Sequence, residues 1–286
     1  MHAGSPKSPG RTKNGLGLES DDWMDISVPI SDGMVTWPGD PPVRILRLSD
    51  MEDGDDCTLS ALTMSVHTAT HMDAPSHFTK LRHGIDEMPL TAVVGYARVI
   101  EIDDPVSITA GELRGHKIKK GERILLKTRN SREKWDRKPF NESYVFLSTE
   151  AALYLVDRGI LTIGVDYLSI GGYGGNMAEV HKIILSAKIW VIEGLDLSRI
   201  EPGPYEMVCL PIKIDNCDGR PCPRAFKARV DLTPGSATSQ FTEGGQSCIR
   251  LPRLKRRFQD RSRALLSEEG SAGQTRGERP QTRPCL

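Results

Sequence analysis

A mixed α/β fold is what this sequence predicts. Its first half strings together short β-branched and apolar runs, such as residues 43–48, 57–66 and 93–102. Its second half alternates helix-like and strand-like segments from Ser148 to Glu193. Strands followed by such an alternation imply an α/β or α+β domain. The ends differ in character from this middle. Residues 1–20 are rich in Gly, Ser, Pro and Lys and read as a disordered leader. Residues 231–286 are dominated by Ser, Gly, Gln, Arg and Pro and read as a mostly disordered basic tail. The domain is therefore expected at residues 21–230.

In chain order, residues 25–30 read as a short opening strand. Asp32-Gly33 is a turn signal, and Trp37, Pro38, Gly39, Asp40, Pro41 and Pro42 form a second, stiffer one. A stiff loop beside an aromatic can wall a pocket or be a plain structural turn. Residues 43–48 and 57–66 follow as strands, the second running into a histidine-rich stretch. Residues 93–102 read as a core strand, 109–114 as a short helix capped by Thr109, and 123–128 as another strand. Residues 129–142 are polar and charged with one tryptophan, which predicts an exposed loop. Ser148 caps a helix over 149–158 that Gly159 ends. Residues 160–165 are a buried strand, 166–176 a Gly-rich loop, 178–188 a helix and 189–193 a strand. Residues 205–214 suggest a final strand pair or one bent strand. Within the tail, residues 251–269 could form one basic amphipathic helix, with a partner or membrane-surface role as the alternative to weak helicity. No internal repeat is present.

Composition excludes some functions. The 38 basic and 38 acidic residues cancel, so there is no basic field for broad nucleic-acid binding. No run approaches the roughly 18 apolar residues of a membrane span, and the N-terminus has no signal-peptide core. A cytoplasmic protein is expected. The six cysteines show no Cys-x-x-Cys pair, and Cys217 and Cys222 find no answering pair, which suggests reduced thiols.

The chemistry is concentrated between His67 and His77. Three of the chain's seven histidines, with Asp73, fall in these eleven residues. Such side chains are the usual N and O ligands of zinc and similar ions. His67 and His71 share a face of a helix at this spacing, but Val66, Thr68 and Thr70 are β-branched and Pro75 closes the segment. An extended chain puts His67, Ala69, His71 and Asp73 on one side. A straight strand would hold the two histidine Cα atoms about 13 Å apart, near the limit for sharing an ion. A bent or irregular strand end is therefore predicted, with Ala69 leaving room for the ion. His77 lies past Pro75 and is either a further ligand or a free acid/base. An ion with three protein ligands usually keeps a water, lowers its pKa and so yields a hydroxide able to attack a carbonyl carbon. Ligands for a second ion would come from elsewhere, the candidates being His83, Asp166, Glu179, His181 and Glu193. On spacing alone His181 reads as a helix-surface histidine. Glu193 ends an apolar strand, where a carboxylate is costly unless paired or metal-bound.

The stretch resembles the signature His-x-Gly-Thr-His-x-Asp-x-Pro-x-His of the metal-dependent cyclase/hydrolase family, which includes bacterial kynurenine formamidase and isatin hydrolase. The resemblance extends over residues 23–228. It takes in Asp25-Ile26-Ser27, the turn from Trp37 to Asp40, Gly164-Val165-Asp166, and His181 followed twelve residues later by Glu193. It implies a β-barrel-like core with flanking helices in a homodimer or homotetramer. It also implies that His67, His71 and Asp73 bind a first ion, with Asp73 bridging to a second held by His181 and Glu193. His77 would be the general acid/base and Trp37 would contact substrate. One or two zinc or manganese ions per subunit are expected, and a small-molecule amide as substrate. The implied reaction is hydrolysis of an amide C–N bond, best of all N-formyl-L-kynurenine to L-kynurenine and formate. Cleavage of isatin or another cyclic amide or lactone is the alternative, and a non-catalytic metal-binding scaffold a third. Ala69 departs from the family's usual Gly; if the position needs φ > 0, Ala costs about 1 kcal/mol or shifts the backbone. The loop 129–142, the glycines around Tyr173 and the tail beyond Ala228 are also departures.

Overall fold

The structure, a computed structural model, describes residues 23–81, 83–222 and 224–228. The expected leader, and the tail with its amphipathic helix, lie outside the described residues. In chain order the elements are β1 (Trp23–Asp25), β2 (Arg44–Ser49), β3 (Leu59–Thr63), β4 (His71–Asp73), α1 (Leu90–Val93), β5 (Val94–Glu101), β6 (Ser107–Ile108), α2 (Ala110–Gly115), β7 (Arg123–Lys127), β8 (Phe146–Leu147), α3 (Thr149–Arg158), β9 (Thr162–Val165), α4 (Met177–Ser186), β10 (Trp190–Glu193), β11 (Gly203–Cys209), β12 (Gly219–Pro221) and β13 (Arg224–Ala228). No described helix is long and apolar enough to cross a membrane.

A nine-stranded mixed sheet runs β1-β13-β11-β5-β7-β9-β10-β4-β12. Its centre, β5-β7-β9-β10, is parallel, and the flanking pairs are antiparallel. The parallel strands are buried on both faces, which is why 123–127 and 189–193 read as nearly continuous apolar runs. Alternation sorts their side chains. Ile124, Leu126, Ile163, Val165 and Val191 pack with residues of α2, α3 and α4. Leu125, Trp190 and Ile192 point the other way and meet Met72, Val99, Tyr205 and Met207. That second cluster gathers inward residues from strands at both ends of the sheet, as a barrel interior does. Ser27, just past β1, bridges Leu195, just past β10, so the sheet curls back on itself. Gly164 sits inside the curl, where a Cβ would overlap Leu125 and Leu195.

The local signals act as expected. Ser148 Oγ accepts from Ala151 N at 3.2 Å, and Thr109 Oγ1 from Glu112 N at 3.2 Å. Gly159 ends α3 in the left-handed region at φ +63°. Three expectations change. The opening strand lies at Trp23–Asp25 and not at 25–30, where past Asp25 only Ser27 makes an isolated bridge. The loop 129–142 is not simply exposed: Asn130, Ser131 and Trp135 are buried within two short 3₁₀ turns. The cause is Asp166, buried at the end of β9. It accepts from Thr128 N (2.7 Å) and Oγ1 (2.9 Å) and from Ser131 N (3.1 Å) and Oγ (2.7 Å), drawing the loop inward. Burial raises the Asp166 pKa against these bonds. The third change is at the end. The strand from 205 stops at Cys209, and the chain turns through 211–218 before returning as β12 and β13. The hairpin β2–β3 stands apart as a two-stranded sheet with Ile45, Leu46, Leu48, Leu59 and Leu62 exposed.

Candidate metal centre

The histidine stretch is bent, and the bend is at Ala69. Its φ is +55°, in the left-handed region, and residues 66–70 are turns and bends before β4 begins at His71. The methyl of Ala69 is buried in an apolar cluster with Val28, Met34, Tyr144 and Tyr167, while its carbonyl lies 3.0 Å from His71 Nδ1. Neighbouring residues secure the bend. Thr70 Oγ1 donates to the Gly194 carbonyl and accepts from Val28 N at 2.7 Å. A Cβ at Gly194, whose φ is +69°, would overlap the Ala69 carbonyl, so only glycine lets β10's exit pass this close.

Sheet register then assembles the candidate ligands. β4 lies between β10 and β12, with His71 opposite Glu193 and Asp73 opposite Val191 and Gly219. His71, Asp73 and Glu193 consequently share the face that α4 covers. His71 Nε2 is 3.1 Å from Glu193 Oε2 and 3.6 Å from Asp73 Oδ1. His181, buried on α4 and not on the helix surface, brings Nε2 to 3.1 Å from Glu193 Oε1 and 3.5 Å from Asp73 Oδ2. Ile170 N donates to Glu193 Oε1 at 2.7 Å. His67 Nδ1 is 2.9 Å from Asp73 Oδ1, and the His77 ring stacks on the His67 ring at 3.8 Å. Among the described residues three groups have donor atoms within 4.8 Å of one another: the buried or largely buried sets His67–His71–Asp73 and Asp73–His181–Glu193, and the more exposed set His67–His77–Asp218.

Three of the other candidates are engaged elsewhere. Asp166 anchors the loop described above, exposed His83 pairs with Glu87 at 2.6 Å, and Glu179 accepts from Thr149 at 3.0 Å. Trp37 packs edge-on against Phe140 (5.2 Å) and Tyr173 (5.6 Å), and lines an open cavity of about 640 Å³ with residues 31–40 and 136–140. No metal-ligand candidate lines that cavity, although Trp37 and Ala69 belong to one apolar cluster.

The electrostatics are those of carboxylates that need positive charge. Burial works against ionised Asp73, but the fields of His77, His67 and His71 hold its pKa below the usual range. Burial and Asp73 both disfavour ionised Glu193, yet His181 and His71 bring its pKa down. Burial opposes charge on His67, but hydrogen bonds to Asp218 and Asp73 hold its pKa up at about 10. Burial likewise opposes charge on His181, and Glu193 and Asp73 outweigh it. Neighbouring imidazoles thus offset the burial of the carboxylates here, and a divalent cation would do the same.

The residues fit such an ion. Asp73 Oδ2 is buried and makes no hydrogen bond. The Nδ1 atoms of His71 and His181 face the Ala69 and Met177 carbonyls at 3.0 and 2.7 Å. A carbonyl only accepts, so each Nδ1 carries the hydrogen and each Nε2 is left for the carboxylate side.

One residue of the cluster was missed from sequence. Asp218 Oδ2 lies 3.0 Å from His67 Nε2 and 3.4 Å from His77 Nδ1. These two hydrogen-bonding histidines hold its pKa well below the usual range. Its only local signal is the turn dipeptide Asp218-Gly219.

Comparison with known proteins agrees with the geometry. The family model described as "Putative cyclase" matches residues 24–171. A kynurenine formamidase of Bacillus cereus is 32% identical over 204 residues, which make up 71% of this chain and 96% of that protein. The kynurenine formamidase of Bacillus cytotoxicus is 30% identical over the same shares of the two chains. A solved structure of a potential metal-dependent hydrolase with cyclase activity superposes with a TM-score of 0.63 at 30% identity, covering 73% of this chain and 98% of that one. Isatin hydrolase A from Labrenzia aggregata shares the fold, with a TM-score of 0.63 at 20% identity over 72% of this chain and 94% of its own. The family-model match takes in the histidine stretch, the relatives cover most of the chain, and the chain belongs to the cyclase family.

Proposed function

We propose that this protein is a metal-dependent hydrolase of amide C–N bonds, with N-formyl-L-kynurenine, cleaved to L-kynurenine and formate, as its substrate. The observation that carries this reading is the division of Asp73. Its Oδ1 faces His67 and His71, its Oδ2 faces His181, and His77 stands beside the pair as a separate imidazole. His67, His71 and Asp73 would hold one ion, and Asp73, His181 and Glu193 a second. These N and O donors suit zinc and manganese alike. Bound there, a divalent ion supplies a polarised carbonyl and a water acid enough to ionise near neutrality.

The chain's own residues do the rest. His77, its side chain a quarter exposed, is the proposed group that takes a proton from the attacking water and passes it to the departing aniline nitrogen. Trp37, at its cavity with Phe140, is the proposed contact for the substrate's aromatic ring. The relatives that carry the name kynurenine formamidase support this substrate over others. The scattered cysteines, with no Cys-x-x-Cys pair, favour reduced thiols and a cytoplasmic setting. The exposed apolar hairpin β2–β3 is a surface that a second copy would cover in a homodimer or homotetramer.

Metal analysis of the purified protein, followed by assay of N-formylkynurenine against isatin, tests the reading. Bound zinc or manganese, and formamide cleavage that chelation abolishes and metal restores, are the expected results. Preference for isatin would move the assignment to cyclic-amide hydrolysis. A metal-loaded protein inert to both, and to a panel of small amides and lactones, would make it a scaffold.

A further inference from the structure

We infer that Asp218 is a positioning residue for this site, a single carboxylate oxygen that fixes the rings of both His67 and His77. The inference rests on His67 as a ligand and His77 as the acid/base. A histidine ligand needs its outer nitrogen held, so that ring orientation and tautomer are set before the metal arrives. For His71 and His181 a backbone carbonyl does this, acting on Nδ1 in each case. His67 is turned the other way. Its Nδ1 faces Asp73 Oδ1 at 2.9 Å, and its outer Nε2 meets Asp218 Oδ2 at 3.0 Å. Asp218 thus occupies for the third ligand histidine the place that a main-chain carbonyl takes for the other two.

The same oxygen is 3.4 Å from His77 Nδ1, and the two rings lie nearly parallel, 23° apart. Rotation of either ring would break its line to Asp218 and disturb the stack. The proton-transfer group and the metal ligand are therefore held in register by one atom.

The turn that presents Asp218 is anchored on several sides. β12 pairs with β4, and Ala74 N donates to the Asp218 carbonyl at 2.8 Å. Ile85 N donates to the Cys217 carbonyl at 3.0 Å, and Asn216 N to Asp86 Oδ1 at 3.1 Å. The buried Arg220 guanidinium donates to the Ile214 carbonyl and lies 3.8 Å from Asp86. Gly219 completes the arrangement, since a Cβ there would overlap the His67 ring. The Asp218 side chain itself is 48% exposed, so replacing it opens no buried hole.

The test uses full-length, metal-loaded protein and the variants D218A, D218N and D218E. Zinc affinity is read by chelator competition, kcat and KM separately on N-formylkynurenine, and folding by Tm. The expected result for D218A is zinc affinity and kcat each lowered about 10–100-fold, with KM within about twofold of wild type. D218E should restore part of both losses. Zinc affinity and kcat both within about twofold of wild type in D218A would overturn the assignment. Should D218A fail to fold, D218N, of the same shape without the charge, decides by the same two readings. A wild-type protein that binds zinc but leaves N-formylkynurenine intact would overturn the functional reading alone. In that event the zinc comparison between wild type and D218A still decides for or against Asp218.

Discussion

The inner and outer halves of the cluster differ in how their side chains are held and in how much water reaches them. His71, Asp73, His181 and Glu193 are at most 3% exposed. Main-chain groups steer three of them: the Ala69 and Met177 carbonyls set the imidazoles, and Ile170 N holds Glu193. His67, His77 and Asp218 have side chains 15%, 25% and 48% exposed, and they set one another through side-chain contacts. Buried carboxylates without a counter-charge are costly, so the inner half is built around positive charge. The outer half meets water, which proton transfer requires. In the proposed scheme the inner half holds four of the ligands, and the outer half holds the acid/base His77 beside the remaining ligand, His67.

Substituting one residue from each half sharpens this contrast. Asp73→Asn keeps the shape and removes the charge shared by both ligand sets. Loss of bound metal and of more than about 100-fold in activity is expected, beyond what a residue merely supporting a ligand costs. Substantial activity in a folded Asp73→Asn protein, measured with metal content, would break the division. His77→Ala should lower kcat by about 10²–10⁴-fold while metal content stays at the wild-type level. Loss of metal in that variant would move His77 into the binding half.

The hinge between the halves gives the smallest effect. Ala69→Gly relieves a left-handed alanine, a gain of about 1–2 kcal/mol. It also removes a fully buried methyl, about 0.8 kcal/mol, and adds glycine's unfolded-state entropy, about 0.4–1 kcal/mol. These offset, so the net change should be under about 1 kcal/mol, a Tm shift of at most about 4 °C in thermal unfolding. A larger rise would mean that the bend is strained beyond its local φ.

Much of this was legible beforehand, for local reasons. β-branched neighbours and Pro75 argue against a helix through the histidines, and the reach of two imidazoles argues against a straight strand. The bend appeared where those limits required it, at the residue flagged for standing in place of glycine. Caps at Thr109 and Ser148 and the stop at Gly159 depend on hydrogen bonds within a few residues, and they fell as expected. His181 was harder. Spacing within its own helix favours a surface histidine, and only the packing of α4 over β4 and β10 buries it. The loop 129–142 misled for a similar reason, because its inward pull comes from Asp166, more than twenty residues further on.

What the sequence by itself determined was the mixed fold, the helix and strand alternation from Ser148 to Glu193 and the gathering of candidate ligands in the His67–His77 stretch. Periodicity, capping and ligand type are properties of neighbours in the chain, and neighbours are visible there. Spacing left His181 and Glu193 among several candidates and the resemblance named them; what only the tertiary structure showed was the register that brings them to that stretch, and the presence of Asp218 beside it. Antiparallel register puts Glu193 on one side of β4 and the turn before β12 on the other. Asp218 enters the site 151 residues after His67 because hydrogen bonding between strands, and not order along the chain, sets what lies opposite what.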